Sequence, residues 1–209
     1  CASGLESIAM ATAKIRSGMA DCIIAGGTES MSLVPTAGWK TVPSYEIAKN
    51  DPDYYLSMGL TAEAVAKEYS ISRADQDAFA FASHQKAMVA QQENYFKPGI
   101  LPITVEEVYV NEKGKKATRS YVVDSDDGVR ADTSIEALAK LKPAFAVDGS
   151  VTAGNSSQTS DGAAFVVVMS EKMMLELGLV PIGRLVNVAV AGVHPRIMGI
   201  GPVAAIPKV

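Results

Sequence analysis

A chain of 209 residues is long enough for one large domain or two small ones, with a core of useful size. Hydrophobic residues make up 48% and charged residues 20%, the balance of a folded globular protein. The net charge of −4, with no run of like charges, lacks the basic footprint of a nucleic-acid binder; two cysteines do not make a secreted disulfide framework, and no apolar stretch approaches the ~20 residues that span a bilayer.

The spacing of Leu5, Ile8, Thr12 and Ile15, with Ala9, predicts a helix over 4–17 that Gly18 ends. Asp21 to Gly27 is a short apolar run closed by two glycines and reads as a buried strand. A helix followed by a buried strand suggests an α/β layer. Residues 33–57 carry prolines, Gly38 and Trp39 without a period and read as a long loop. A short helix follows over Leu60 to Tyr69. Ser72-Arg-Ala-Asp75 has the form of a capping box and opens the longest helix, to about Asn94, with Ala78, Phe81, Ala82, Met88 and Val89 as its apolar stripe. Ile103 to Val110 and Ala117 to Val123 flank a polar turn and predict a hairpin. Lys113, Lys115, Lys116 and Arg119 sit at its tip and read as a solvated cluster.

A second capping box at Thr133-Ser-Ile-Glu136 starts a helix to Leu141. Gly149 to Gly162, rich in Ser, Thr, Asn and Gly, reads as a ligand-contacting turn. Ala163 to Met169 reads as a buried strand, Glu171 to Leu177 as a helix and Arg184 to Ala191 as another strand. Residues 192–202 form a Gly/Pro-punctuated loop entering a final helix at the C-terminus. The chain starts with Cys1 rather than Met and stops without a terminating signal, so both ends read as cuts through a longer protein.

Cys1 stands at the edge of the first helix, where unpaired N–H groups and the helix dipole favour an anion and raise the thiolate fraction. Ala2, Ser3 and Gly4 are small and leave room for a substrate carbonyl. From that chemistry alone a small core cysteine is an equally open reading. Cys22, on a strand read as buried, is expected to be an inert core thiol.

The wider pattern is more specific. Cys1-Ala-Ser-Gly-Leu5, with Ser7, Ile8 and Ile15, resembles the acyl-enzyme signature of the thiolase family. Ala25-Gly-Gly-Thr-Glu-Ser-Met-Ser32, Met58-Gly-Leu-Thr-Ala-Glu63, Asp75-Gln-Asp-Ala-Phe79, Leu141-Lys-Pro-Ala-Phe145, Thr152-Ala-Gly-Asn155, Asp161-Gly-Ala-Ala164 and Met198-Gly-Ile-Gly-Pro202 follow in the family's order. The resemblance runs through essentially all 209 residues. It implies an α/β, thiolase-like layered αβαβα fold, present in part, with an inserted α+β loop domain. Residues 1–32 would be the late part of the N-terminal half and 33–158 the CoA-binding loop domain. Residues 159–180 would return to the N-terminal half, and 181–209 would begin a truncated C-terminal half.

The resemblance also implies a mechanism. The Cys1 thiolate attacks the 3-keto carbon of a 3-ketoacyl-CoA, acetyl-CoA leaves as a carbanion equivalent, and the acyl-cysteine passes its acyl group to a second CoA. No covalently bound cofactor and no metal enter this scheme; coenzyme A and acyl-CoA are substrates. The family's catalytic His, second Cys and oxyanion Asn belong to blocks beyond Val209, and His84 and His194 match none of them, so both read as structural. This leaves a second reading, in which the chain by itself is a catalytically incomplete CoA-binding or assembly portion. An N-terminal-nucleophile hydrolase also begins with a nucleophile such as Cys, but there the nucleophile opens a strand, whereas Cys1 opens a helix.

Carried over residue by residue, Met58 would lie along the pantetheine and thioester, where a polarizable thioether is suited. Arg130 would meet the adenine and phosphates with a planar, permanently charged fork. Phe145, Ala153 and Ser157 would line the adenine and pantetheine channel. Ser57 stands where acetoacetyl-forming members carry His, which points to a degradative 3-ketoacyl-CoA thiolase of fatty-acid β-oxidation; a biosynthetic acetyl-CoA C-acetyltransferase is the alternative within the family. The resemblance implies a homodimer or homotetramer, and a cytoplasmic enzyme, or an organellar one in a eukaryote. Aromatic residues on 33–57, among them Trp39 and Tyr45, are expected to supply subunit contacts.

Overall fold

The computed structural model describes residues 2–35 and 38–209. Two compact units emerge, one formed by Cys1–Val65 with Gln158–Val209 and the other by Ala66–Ser157.

The first unit is built on helix α1 (Ser3–Arg16) and strand β1 (Cys22–Glu29). Gly4, Ser7, Ile8, Ala11, Thr12 and Ile15 form the inward face of α1, and Ala11 is its buried centre. Leu5 belongs to the other side and is 60% exposed, so the stripe expected from the sequence is turned by one residue at its start. The helix ends as expected. Gly18 takes φ +74°, its N–H donates to the Ile15 carbonyl, and the Met19 N–H reaches back to Lys14.

β1 pairs antiparallel with β4 (Gly162–Met169) in a two-stranded ribbon. Ile23 faces Val168 and Ala25 faces Val166 on the side turned inward, with Ala25 buried. Ile24, opposite Val167, points to the other face and is 72% exposed. Both strands were expected to be buried. Each is covered on one face only, which is how an antiparallel ribbon behaves. Cys22 sits on the uncovered face and is an exposed free thiol, not a core one. The stretch 33–57 is less irregular than its composition suggests. It contains α2 (Tyr45–Asn50) and a 3-10 turn at Pro52–Tyr55 before α3 (Met58–Glu68).

After β4 come α6 (Glu171–Glu176), a 3-10 segment at Pro195–Ile200 and α7 (Gly201–Ala205). Residues 184–191, expected as a strand, are not one. Among the described residues no other strand bonds to them, and an apolar run without a ladder partner has no sheet to join. Residues 185–188 instead border α1 across a groove of about 540 Å³ that also meets Thr12 and Arg16. None of the candidate site residues among the described residues lines this groove.

The second unit is organised by α4 (Arg73–Gln92). Its start is the capping box read from the sequence. Ser72 Oγ accepts from the Asp75 N–H at 3.1 Å, and Asp75 accepts from the Ser72 N–H at 3.2 Å. The packed face of α4 differs from the expected one. Ala78, Ala82 and Val89 are exposed, and the only buried position among its described residues is Asp77. Phe81 and Met88 of the expected stripe are half-buried, and beside them the inward face carries Arg73, Gln76, Asp77, His84 and Gln91, so it mixes apolar side chains with polar, bonded ones. Strands β2 (Ile103–Val110) and β3 (Lys116–Val123) form the predicted hairpin, with Asn111 Oδ1 accepting the Lys113 and Lys115 N–H groups at 3.0 Å each. The lysines at its tip are exposed, as read. Arg119 pairs with Glu107 at 2.7 Å and lies over the rings of Tyr109 and Tyr121. The short α5 (Ile135–Ala139) is capped by Ser134, which accepts from the Ala137 N–H at 3.1 Å; the cap falls one residue later than the Thr133 box implied. Buried Leu138 and Val151 make the apolar centre of this unit.

Candidate active site

The residue read as the nucleophile, Cys1, lies outside the described residues, and the structure defines the scaffold that follows it. Ala2 caps α1 through its carbonyl, which accepts from the Glu6 N–H at 2.9 Å, but it has no side chain to accept from the first-turn N–H groups. The turn is tied to β1 by Ser7, whose hydroxyl lies 2.7 Å from the Gly4 carbonyl and 3.0 Å from the Gly26 carbonyl. A Cβ on Gly27 would stand 3.5 Å from the Gly4 Cα, an ordinary contact, so the approach of α1 to β1 does not itself demand glycine there. A Cβ on Gly26 would fall 2.1 Å from the Ala164 carbonyl oxygen and 2.7 Å from the Phe165 ring, a separation that only a backbone shift could relieve. Gly26 therefore sets how closely β1 and β4 lie, and its carbonyl is where Ser7 fastens α1.

Beyond the glycine pair, β1 ends at Glu29 and the chain turns to Ser32, whose N–H donates to Asp161 Oδ1 at 2.9 Å and whose hydroxyl bonds Asp161 Oδ2. The Ser32 hydroxyl, followed by the Ser32 N–H, holds the Asp161 carboxyl below its ordinary range. Asp161 precedes β4, so this clasp joins the two strand ends on the side where α1 begins, next to Thr28 and Gly162.

The CoA-side candidates divide between the units. Met58 is the first residue of α3 in the first unit, with its side chain mostly exposed and its carbonyl accepting from the Thr61 hydroxyl at 2.7 Å. Ser57 precedes it and accepts the Thr61 N–H at 3.0 Å. Arg130, Phe145, Ala153 and Ser157 all belong to the second unit. Arg130 has an exposed side chain, and its backbone N–H donates to His84 Nδ1 at 3.3 Å. That bond gives His84 the structural role read for it. His194 likewise accepts the Arg196 N–H within its turn.

Phe145, Ala153 and Ser157 lie on two segments that the fold joins. The Ala144 N–H donates to the Val151 carbonyl at 2.9 Å. Asn155 Oδ1 accepts the Thr152 N–H at 2.8 Å, and Thr152 Oγ1 accepts from Gly154 and Asn155, closing the turn around Ala153. The turn is anchored on α4. Asp77, 2% exposed, accepts from Asn155 Nδ2 at 3.0 Å and from Arg73 Nε at 2.8 Å. Arg73 then donates its other nitrogens to the Leu138 and Leu141 carbonyls. Stranding one member of a buried pair of this kind costs about 3–5 kcal/mol. Arg73, Asp77 and Asn155 were not singled out from the sequence as site residues. The available signal was an Asp placed mid-helix four residues after an Arg, a position with poor helix propensity that asks for a bonded partner.

Among the described residues no group of three or more His, Cys, Asp or Glu side chains could hold a metal ion, and no helix is long and apolar enough to cross a membrane.

Known proteins resemble this chain in sequence and fold. The family described as thiolase, N-terminal domain, matches residues 1–172. A 3-ketoacyl-CoA thiolase of Bacillus subtilis (strain 168) is 52% identical over 208 residues, covering 100% of this chain and 53% of that protein. A peroxisomal 3-ketoacyl-CoA thiolase of Homo sapiens is 47% identical over 208 residues, covering 99% of this chain and 48% of its own length. The crystal structure of the dimeric peroxisomal thiolase of Saccharomyces cerevisiae superposes with a TM-score of 0.85 at 39% identity, over 100% of this chain and 51% of that one. The chain thus spans about half the length of the curated relatives it matches. With the family's N-terminal domain matched over most of its length, and its α/β fold shared with a solved member, the chain belongs to the thiolase family.

Proposed function

We propose that this chain is the nucleophile-bearing portion of a 3-ketoacyl-CoA thiolase. Cys1 attacks the 3-keto carbon of the substrate. The bond between C2 and C3 breaks, its electron pair leaves with acetyl-CoA and is protonated, and a thioester remains on Cys1 until a second CoA thiolate takes the acyl group. Residues 33–158 are the CoA-facing insertion in this reading, with Met58, Arg130, Phe145, Ala153 and Ser157 as CoA contacts, and the working form is a homodimer or homotetramer. Ser57 and the names of the two relatives favour the degradative direction.

The observation that carries the reading is the seating of the α1 start. Cys1 comes two residues before a helix that lacks a side-chain N-cap and that Ser7 ties to the Gly26 carbonyl. Uncapped N–H groups at a fixed helix start favour a thiolate and a developing oxyanion.

The chain carries its own control. Cys22 is the second of two thiols and is exposed. Incubation with an acyl-CoA followed by peptide mapping by mass spectrometry is expected to place the acyl group on Cys1. An acyl group on Cys22 with Cys1 unmodified would reject the assignment.

A further inference from the structure

We propose that Asp77, acting through Asn155, is a positioning residue for coenzyme A; this rests on the CoA reading of Phe145, Ala153 and Ser157. Asp77 is the single fully packed carboxylate among the described residues of the second unit, and both of its oxygens are hydrogen-bonded. One oxygen takes the Arg73 guanidinium and the other takes the Asn155 amide. A buried carboxylate is costly to keep unless it is fully bonded, and here both partners lead into candidate binding segments.

Through Arg73 the carboxylate reaches the carbonyls of Leu138 and Leu141, at the start of the segment that runs to Phe145. Through Asn155 it reaches the turn that carries Ala153, since the same amide also donates to the Ser150 carbonyl at 3.1 Å. Gln76, on the same face of α4, donates to Ser150 Oγ at 2.8 Å. Gly154 closes the joint. A Cβ there would meet the Leu141 and Leu138 side chains at 2.5 and 2.6 Å, so the turn lies flat on the leucines whose carbonyls Arg73 holds. Beyond the turn, the Ser156 hydroxyl donates to the Thr152 carbonyl at 2.6 Å, one residue before Ser157. The first two turns of α4 therefore act as a bracket that ties the 150–157 turn, with Ala153 and Ser157, and the 138–145 segment, with Phe145, to one helix, and Asp77 is its central fastening. A narrow channel for a pantetheine arm needs such fixed spacing, because contacts held by rigid elements bind with less ordering cost.

The test is a polarity exchange across the Asp77–Asn155 bond, read by calorimetric titration of CoA into the chain well below its melting temperature. Asp77→Asn alone turns an amide toward an amide, and Asn155→Asp alone turns a carboxylate toward a carboxylate. The double variant restores a donor facing an acceptor. Each single change is expected to raise the CoA dissociation constant about tenfold, and the double variant to recover to within about threefold of wild type. A merely structural role would lower the melting temperature but leave the dissociation constant of the folded protein where it was. Ser156→Ala, at an exposed position, keeps the proposal testable should the single variants fail to fold, and is expected to raise the constant about threefold. Wild-type affinity in folded Ser156→Ala and in the folded exchange variants overturns the positioning role while leaving the CoA reading intact. A wild-type chain that binds no CoA removes that reading and the bracket's role with it.

Discussion

Ser7 lies with its hydroxyl 3.0 Å from the Gly26 carbonyl, joining the first turn of α1 to the middle of β1 across 19 positions of sequence. Gly26 also lies against Ala164 and Phe165 of β4, where a side chain would stand in the way. Gly26→Ala is expected to destabilise the chain by about 1–3 kcal/mol, the usual cost of overpacking against a backbone that must move. Gly162→Ala, on the partner strand with nothing within 4 Å of the added carbon, is expected to stay within about 0.5 kcal/mol of wild type. Urea midpoints of the two variants decide the matter, and equal midpoints would show that Gly26 does not set this approach.

The Ser32–Asp161 clasp predicts a pH signature. Asp161 has a folded value below its ordinary 3.8, chiefly from the Ser32 hydroxyl. A lowered folded value means that the clasp contributes above 3.8 and is lost as pH falls through the folded value. Ser32→Ala is expected to move the Asp161 carboxyl titration upward toward 3.8, as followed by NMR. It is also expected to narrow the acid range over which stability falls. A midpoint that stays put or moves downward would contradict the hydroxyl as the cause.

Arg130→Ala is expected to raise the CoA dissociation constant roughly ten- to a hundredfold, the loss of a charge-assisted contact worth about 1.5–3 kcal/mol. Alkylation of Cys1 by a small electrophile should be unchanged, since Arg130 is distant from Cys1 in sequence. An unaltered dissociation constant would remove Arg130 from the site.

What the sequence disclosed and what it hid divides along a physical line. Features set by chemistry within a few residues were legible: the Gly18 terminator, the Ser72/Asp75 capping box and the β2–β3 hairpin with its Asn111 turn. Features set by what packs from elsewhere were not. The 184–191 run has a strand's composition but no ladder partner, and β1 and β4 have apolar runs covered on one face. On α4, an apolar stripe could be drawn through Ala78 and Ala82, yet the helix turns Arg73 and Asp77 inward because carbonyls at Leu138 and Leu141 and an amide at Asn155 await them. Long-range polar partners leave no period in a single sequence. The CoA-side candidates rested on resemblance, and their motifs were readable while the bracket joining them was not.

Trp39 is 81% exposed and Tyr45 is 72% exposed, on the segment expected to make subunit contacts. Exposed aromatic rings are typical anchors of protein interfaces. Self-association measured by light scattering is expected to weaken on replacing Trp39 and Tyr45 with Ala. A dimer that persists unchanged in that double variant would assign the contact to another surface.

The β1–β4 ribbon imposes an order of events on synthesis. Thr28 finds its bond at Gly162, 134 positions later. A ribosome adding about 5–20 residues per second leaves β1 without its partner strand for on the order of ten seconds. Throughout that interval the whole second unit is made, and Ile23 and Ile24 sit on an open edge of the kind that recruits other chains. The wait itself is tolerant of length, because doubling the intervening chain adds only about 0.6 kcal/mol of closure entropy. Insertions into the second unit are thus cheap at equilibrium, and their penalty is a longer window for aggregation before β4 arrives.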